Sequence, residues 1–496
     1  MIDRSVVVNS VWNVAGWLFP ICFFLLVTPY LINRLGIESF GIFALVQAII
    51  GYAGLLNFGF SDAIIRGVAH ARHGDSNVAM KVRWAGLFVF TAVAIVGGLL
   101  ILALSSFFVR RLFNIPTEME DTAVECFRIG ALLFFAQMLS EFIRGSALGY
   151  SRFDIPNISR VLGYLVAIVF VYVLVSNGFG IVGAMAALAT GTILSLVISG
   201  VWLQISVPMR RFKGELRGVF KEVGTFSAHI FVARVASITA NRLGQIGVAS
   251  LGALANVAYL DAPMRLGEAG SALANKTVQV LYPEFSEAAR TRRCEEMAVP
   301  VVTMLQLEMF VGVPLILFLA LEGEWLFRLW INAEFGAEIG VIVPLLGASF
   351  LLSALSQMPS YLAMAIGEPQ IISRYSMLRL GLFAIAGYPL FTSYGLVGVA
   401  ITHLAASIVV GPPFIYQVLQ KALKVNIYRQ LRKTLICHGA LFAGTYTIYK
   451  YAVVGAGYYH PAISLVAVMA YVIVGMLFGV LPRDAWQRIM RGNAQV

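Results

Sequence analysis

Fourteen apolar runs of about twenty residues follow one another from residue 12 to residue 481, with little between them. Their approximate limits are 12–33, 41–65, 84–108, 122–148, 157–176, 180–205, 223–249, 254–283, 298–322, 339–366, 375–393, 396–420, 435–454 and 461–481. As a helix rising 1.5 Å per residue, a run of this length crosses the roughly 30 Å hydrocarbon core of a bilayer. Only helices and closed barrels satisfy their backbones in lipid, and barrel strands need about 9–11 residues, too few for these runs. The pattern predicts an all-α integral membrane protein with about 14 transmembrane helices. Composition agrees: 59% of residues are hydrophobic and 12% are charged, half the charge of an ordinary soluble domain. No connection is long enough to be a soluble domain, so the activity is expected inside the membrane. Residues 1–9 are short and polar and run into a full-length span, so no cleavable signal peptide is expected.

Lysine and arginine set the orientation. With the N-terminus inside, twenty-three loop cations fall on the cytoplasmic side and four (Arg34, Arg110, Arg111 and Arg328) on the outer side. Both termini are therefore expected in the cytoplasm. The net charge of +11 is mostly this topological bias and not a nucleic-acid signal. Trp325, Trp330, Tyr458 and Tyr459 fall at outer edges, where aromatic belts lie.

The chain also repeats itself. Arg34-Leu-Gly36 through Phe43 lies over Ser250-Leu-Gly252 through Tyr259, Ile158-Ser-Arg160 over Ile372-Ser-Arg374, and Phe179-Gly-Ile-Val-Gly183 over Tyr394-Gly-Leu-Val-Gly398. The offsets are 216, 214 and 215 residues, in order. Each repeat holds six spans, so both copies share one orientation about an axis along the membrane normal. This predicts two pseudo-symmetric six-helix lobes around a central cavity, residues 1–210 and 211–424, followed by two C-terminal helices and a cytoplasmic tail in 425–496. Small residues at four-residue spacing (Gly183, Ala187 and Gly191, with mates Gly398, Thr402 and Ala406) are expected to pack helices closely within each lobe.

Ionisable residues inside spans are costly, about 2.5–3.5 kcal/mol each at the bilayer centre on insertion scales, and mark functional positions by default. Nine cations lie within spans: Arg128, Arg144, Arg160, Arg234, Arg242, Arg265, Lys276, Arg379 and Lys450. Six acids accompany them short of the run ends: Asp62, Glu125, Glu141, Asp261, Glu268 and Glu308. The hairpin of residues 226–283 is the densest part, with Arg234, Arg242, Asp261, Arg265, Glu268 and Lys276. Glu125–Arg128, Glu141–Arg144 and Asp261–Arg265 have spacings that bring partners onto one helix face. Such pairs serve equally as structural ties. Arg160, Arg379 and Lys450 could instead snorkel to a membrane surface. Arg234 and Arg242 have no acid on their own helix, and arginine grips phosphate through paired hydrogen bonds. The expected ligand is therefore anionic, with phosphate or diphosphate ahead of carboxylate. The candidate binding set is Arg234, Arg242, Arg265, Lys276, Arg144, Arg160 and Arg379. The candidate cavity acids, available to a coupling proton or sodium ion, are Asp261, Glu268, Glu141 and Glu308.

Other chemistry is thinly represented. Cys22, Cys126, Cys294 and Cys437 have no metal or redox spacing, and His229 and His403 stand alone in their spans. Gly270-Ser-Ala-Leu-Ala-Asn275-Lys276-Thr277 imitates a P-loop but lacks the glycine before the lysine and lies inside a span. No cofactor, enzyme activity or ATPase is expected.

Thr28-Pro29-Tyr30, Leu35-Gly36, Phe40-Gly41 and Gly54-Leu55-Leu56-Asn57-Phe58-Gly59 resemble the opening of bacterial polysaccharide flippases. These are the O-antigen and exopolysaccharide transporters of the multidrug/oligosaccharidyl-lipid/polysaccharide exporter superfamily. Val257-Ala258-Tyr259, Arg265-Leu266 and Pro283 match the same pattern in the second lobe. The resemblance implies movement of a polyprenyl-diphosphate-linked oligosaccharide from the inner to the outer leaflet of the bacterial inner membrane. It also implies membrane lipids as surroundings and glycan polymerase or export machinery as partners. Asn57 and Asn241 depart from it, standing where relatives often carry an acid. The alternatives are a drug or cation antiporter, which would want an acidic cavity, a peptidoglycan-precursor flippase, which shares the physics, and a scaffold for glycan assembly, which has no use for buried charge.

Overall fold

The computed structural model describes residues 4–53, 61, 64–65, 68, 76–209, 235–236, 239, 242–279, 297–424, 427–454 and 461–477. Among them every regular element is helical. In chain order the α-helices are α1 (Arg4–Leu35), α2 (Ile37–Ala53), α3 (Ser76–Phe107), α4 (Glu120–Gly149), α5 (Asp154–Ser176), α6 (Gly180–Ser206), α7 (Leu254–Gln279), α8 (Ala298–Trp330), α9 (Ala333–Ile339), α10 (Ile342–Leu355), α11 (Gln357–Ala365), α12 (Pro369–Leu423), α13 (Ile427–Ile448) and α14 (Pro461–Leu477). Residues 242–251 are helical as well. Each of the fourteen expected spans overlaps these segments, span 2 chiefly by its first half, span 7 by its second half only, and span 10 over the two helices α10 and α11.

Eight of the described helices are long and apolar enough to cross a membrane by length and composition. One of the eight, α12, has 55 residues, about 80 Å of helix and well over twice what a bilayer needs. Spans 11 and 12 both lie within it, and Gly395 (φ 57°, ψ −136°) breaks it between them. Side chains confirm the solvent. Along α3, Ile95, Val96, Leu99, Leu100 and Leu102 are all exposed. A contiguous apolar face of this kind is stable in lipid and a liability in water.

Packing divides the chain into two units, Met1–Ala258 and Tyr259–Val496. In the first, α5 and α6 approach backbone to backbone. A Cβ on Gly191 would collide with the Gly163 carbonyl, and one on Gly163 with that of Gly191. Gly130 of α4 receives Val46 and Ile50 of α2 in the same way. The rings of Tyr30 and Tyr172 join α1 to α5 at 4.3 Å. In the second unit α8 is the hub. Gly323 admits Val343 of α10, and Gln306 Nε2 donates to Thr434 Oγ1 of α13 at 3.0 Å. Ser349 of α10 donates to the His403 carbonyl of α12 at 3.1 Å and shares a 2.9 Å bond with Ser407.

The repeat is visible in local geometry. Gly36 N–H bonds Ile32 O at 3.0 Å and Gly252 N–H bonds Val248 O at 2.8 Å, matching residues at the same 216-residue offset. Gly180 (φ 54°) and Gly395 (φ 57°), 215 residues apart, both adopt the left-handed backbone that lets a helical hairpin reverse sharply. Gly183 and Gly398 follow each by three residues, and both lack room for a Cβ, against Phe179 and Leu174 in one case and Leu390 in the other.

Candidate functional site

The interior charges sort by partner. On α7, Asp261 is fully buried and Arg265, 23% exposed, donates from Nε to its Oδ2 at 2.6 Å. One helical turn separates them, and one turn is the spacing that lets partners meet on a helix. The first of the pair lies about 10 Å along α7 from Leu254. On α4, Arg144 holds Glu141 Oε2 through Nε at 2.9 Å and Nη2 at 2.6 Å, and adds a 3.2 Å bond to Ser61 Oγ. Arg242 donates from Nη1 to Gln245 Oε1 at 3.0 Å, and its Nε lies 4.0 Å from where a Cβ on Gly51 would stand. Half-buried Glu268 follows one turn after the Asp261–Arg265 pair's outer member. Arg160 is half-buried on α5.

Arg379 departs from the snorkelling alternative. Ten residues, or about 15 Å, into α12, it is only 6% exposed, because α12 turns that face into the unit and not toward lipid. Among the described residues no acceptor bonds its guanidinium. His403 lies on the returning half of α12, its ring edge-on to Phe383 at 4.6 Å, and its Nε2 is buried without a partner. Glu308 on α8 has both carboxylate oxygens buried and unbonded.

Two expectations are corrected. Among the described residues Glu125 and Arg128 form no ion pair; both are exposed near the start of α4, pointing away from the packed faces of the helix. Arg83, counted from sequence as a cytoplasmic loop cation, is 1% exposed. Its Nη1 donates to Val207 O at 3.0 Å and its guanidinium lies 5.5 Å from the Tyr150 ring centroid, so it ties α3 to the ends of α4 and α6. Arg234, Asp62, Asn57, Asn241, His229, Cys294, Tyr458 and Tyr459 lie outside the described residues, as does the side chain of Lys276. The P-loop imitation lies within helical α7, where its backbone amides are committed to the helix.

Sequence reading missed a polar seam beside α8. Tyr449 donates to fully buried Glu322 at 2.7 Å, and His438 Nδ1 meets Tyr471 Oη at 2.6 Å. Glu322 was passed over because it stands at the edge of an apolar run. The signal was two tyrosines and a histidine in spans 13 and 14, polar groups that need partners in lipid.

These features define a polytopic α-helical membrane protein with ion pairs and unpaired ionisable groups buried in its spans. The chain belongs to the polysaccharide biosynthesis protein family, whose model matches residues 6–289, more than half of it. It is 23% identical over 412 residues to a candidate O-antigen transporter of Shigella flexneri, covering 80% of this chain and 94% of the relative. Among solved structures it resembles the Lipid II flippase MurJ in an inward closed conformation (TM-score 0.71, 13% identity, 96% of this chain and 99% of that one). It also resembles an inward-facing multidrug resistance transporter of the MATE family in the MOP superfamily (TM-score 0.66, 18% identity, 84% and 95%). These two likenesses establish a transporter fold.

Proposed function

We propose that the chain is a flippase that moves a polyprenyl-diphosphate-linked oligosaccharide from the cytoplasmic to the outer leaflet of a bacterial inner membrane, for O-antigen or exopolysaccharide assembly. Family membership and the O-antigen relative support the class of cargo. The observation that carries the anionic headgroup is Arg379, buried about 15 Å into α12 with no acceptor among the described residues. A guanidinium largely withdrawn from solvent favours an anion beside it, and a diphosphate supplies paired acceptors.

In this reading the lobes are residues 1–210 and 211–424, with 425–496 appended, and both termini are cytoplasmic. The cargo headgroup passes between the lobes by alternating access while its lipid tail stays in the bilayer. Arg234, Arg242, Arg265, Lys276 and Arg379 of the second lobe, with Arg144 and Arg160 of the first, are the cations offered to it. Asp261, Glu268, Glu141 and Glu308 balance them or carry a coupling proton or sodium ion. Export of a group of charge −2 from an inside-negative cell gains up to about 4.6 kcal/mol per 100 mV. Glycan polymerase and export machinery are the expected partners.

The test is complementation of a deletion strain with Arg379→Ala and Arg265→Ala, with membrane abundance measured alongside. Loss of surface polymer by tenfold or more at normal abundance is expected; normal export would overturn the anionic-cavity mechanism. A second reading, flipping of the peptidoglycan precursor, is favoured by the whole-length likeness in fold to the Lipid II flippase. Lysis on depletion of the gene would select it. A drug or cation antiporter calls for acids where these arginines stand, and uptake of a cationic dye would reveal one.

A further inference from the structure

Glu308 is a second anomaly in the same unit, and its surroundings are specific. It stands ten residues after Ala298 on α8, about 15 Å along a 33-residue helix that is long enough to cross a roughly 30 Å core, and so well inside the helix. Both carboxylate oxygens are shut off from solvent, and among the described residues neither has a hydrogen-bond partner. The neighbouring residues on α8 show which way it points. Gln306 bonds Thr434 of α13, and Phe310 lies 3.5 Å from a Cβ placed on Gly475 of α14, so that side faces the C-terminal pair. Gly312, four residues after Glu308 and on its face, packs against Leu351 of α10. Glu308 therefore belongs to the α8–α10 side.

Helix α10 carries no ionisable side chain. On the other elements packed against α8, Glu334 and Glu338 belong to α9 beyond its outer end, His438 is bonded to Tyr471, and Arg432 and Lys433 are exposed at the start of α13. Glu322 of α8 itself is held by Tyr449. Helices α11 and α12 share a core with Val301 and Leu305 of α8 and carry Tyr361, Arg374, Tyr375, Arg379 and His403. Among the described residues, none of these groups bonds Glu308. A carboxylate held unpaired in a medium of low dielectric is far less stable than the neutral acid. Six residues on, Pro314 leaves the carbonyl of Phe310 without its helical donor, so α8 is weakest just beyond Glu308.

The geometry points to Glu308 as the group that takes up and releases a proton in the transport cycle. It is neutral in this conformation and ionises when α8 bends away from α10 and water reaches it. One proton enters from water on one side of the membrane and leaves to water on the other, with no other reactant. This assignment rests on the flippase reading above.

Two measurements on the full-length protein test it. In nanodiscs, infrared titration of wild type against Glu308→Gln should show a protonated-carboxyl band at neutral pH in the wild type that the variant lacks. In proteoliposomes, a short-chain polyprenyl-diphosphate oligosaccharide serves as cargo. One proton per cargo and a gradient of one pH unit should shift the wild-type accumulation ratio up to tenfold, and Glu308→Gln should abolish the shift. An identical carboxyl band in the variant, or a gradient response that survives the substitution, overturns the assignment. Wild-type flux indifferent to the gradient overturns the coupling role and leaves the flippase reading standing. Wild-type protein that moves no such cargo overturns both.

Discussion

Replacing Asp261 by asparagine probes whether Arg265 is tied up structurally or open to an anion. Asp261 is fully buried and its Oδ2 takes a 2.6 Å bond from Arg265 Nε, so the substitution leaves a guanidinium, 23% exposed, beside a neutral amide. Removing one partner of a buried pair costs about 3–5 kcal/mol in water-soluble proteins. Two effects lower that figure here. Arg265 keeps some access to polar surroundings, and in a membrane the unfolded reference state finds partners of its own, which holds single polar interactions to about 0.6–1.7 kcal/mol. We expect Asp261→Asn to cost about 2 kcal/mol, a drop of roughly 30-fold in the folding equilibrium. Asp261→Asn combined with Arg265→Gln should recover about 1 kcal/mol of that relative to the sum of the single changes. Unfolding in mixed micelles of mild and denaturing detergent, followed by tryptophan fluorescence, measures the cycle. Additive effects, or a single change within about 0.3 kcal/mol of wild type, would refute a structural pair and leave Arg265 available to the cargo.

Two further substitutions follow from the packing. Gly191→Leu drives a side chain into the Gly163 carbonyl and should force α5 and α6 apart at a cost of about 1–3 kcal/mol, read as a lower unfolding midpoint in the same micelles. Tyr449→Phe removes the donor at 2.7 Å from buried Glu322 and should cost about 1–2 kcal/mol, with α13 the first segment to gain hydrogen exchange.

The spans were legible because lipid permits so few backbones. A continuous apolar run of twenty residues admits one solution, a helix. The repeat was legible for the same reason, since turns demand particular residues. Charge partners were legible only where helical spacing decides them, as for Asp261–Arg265 and Glu141–Arg144. Spacing misled for Glu125–Arg128, where both side chains are exposed and no packing forces them together.

By itself, the sequence determined the solvent, the crossings, the repeat and the positions of the buried charges, all consequences of local hydropathy and of period along one helix. Tertiary structure decided which of those charges are spent. That Arg379 is enclosed and not snorkelling, that Arg83 braces the base of its unit, and that Glu308 bonds nothing among the described residues all depend on which way each helix is rotated against its neighbours. Rotation is set by small residues such as Gly312 and Gly191 meeting particular partners across helix interfaces. Those partners lie dozens of residues away, so no periodicity along one helix records which of its faces is covered.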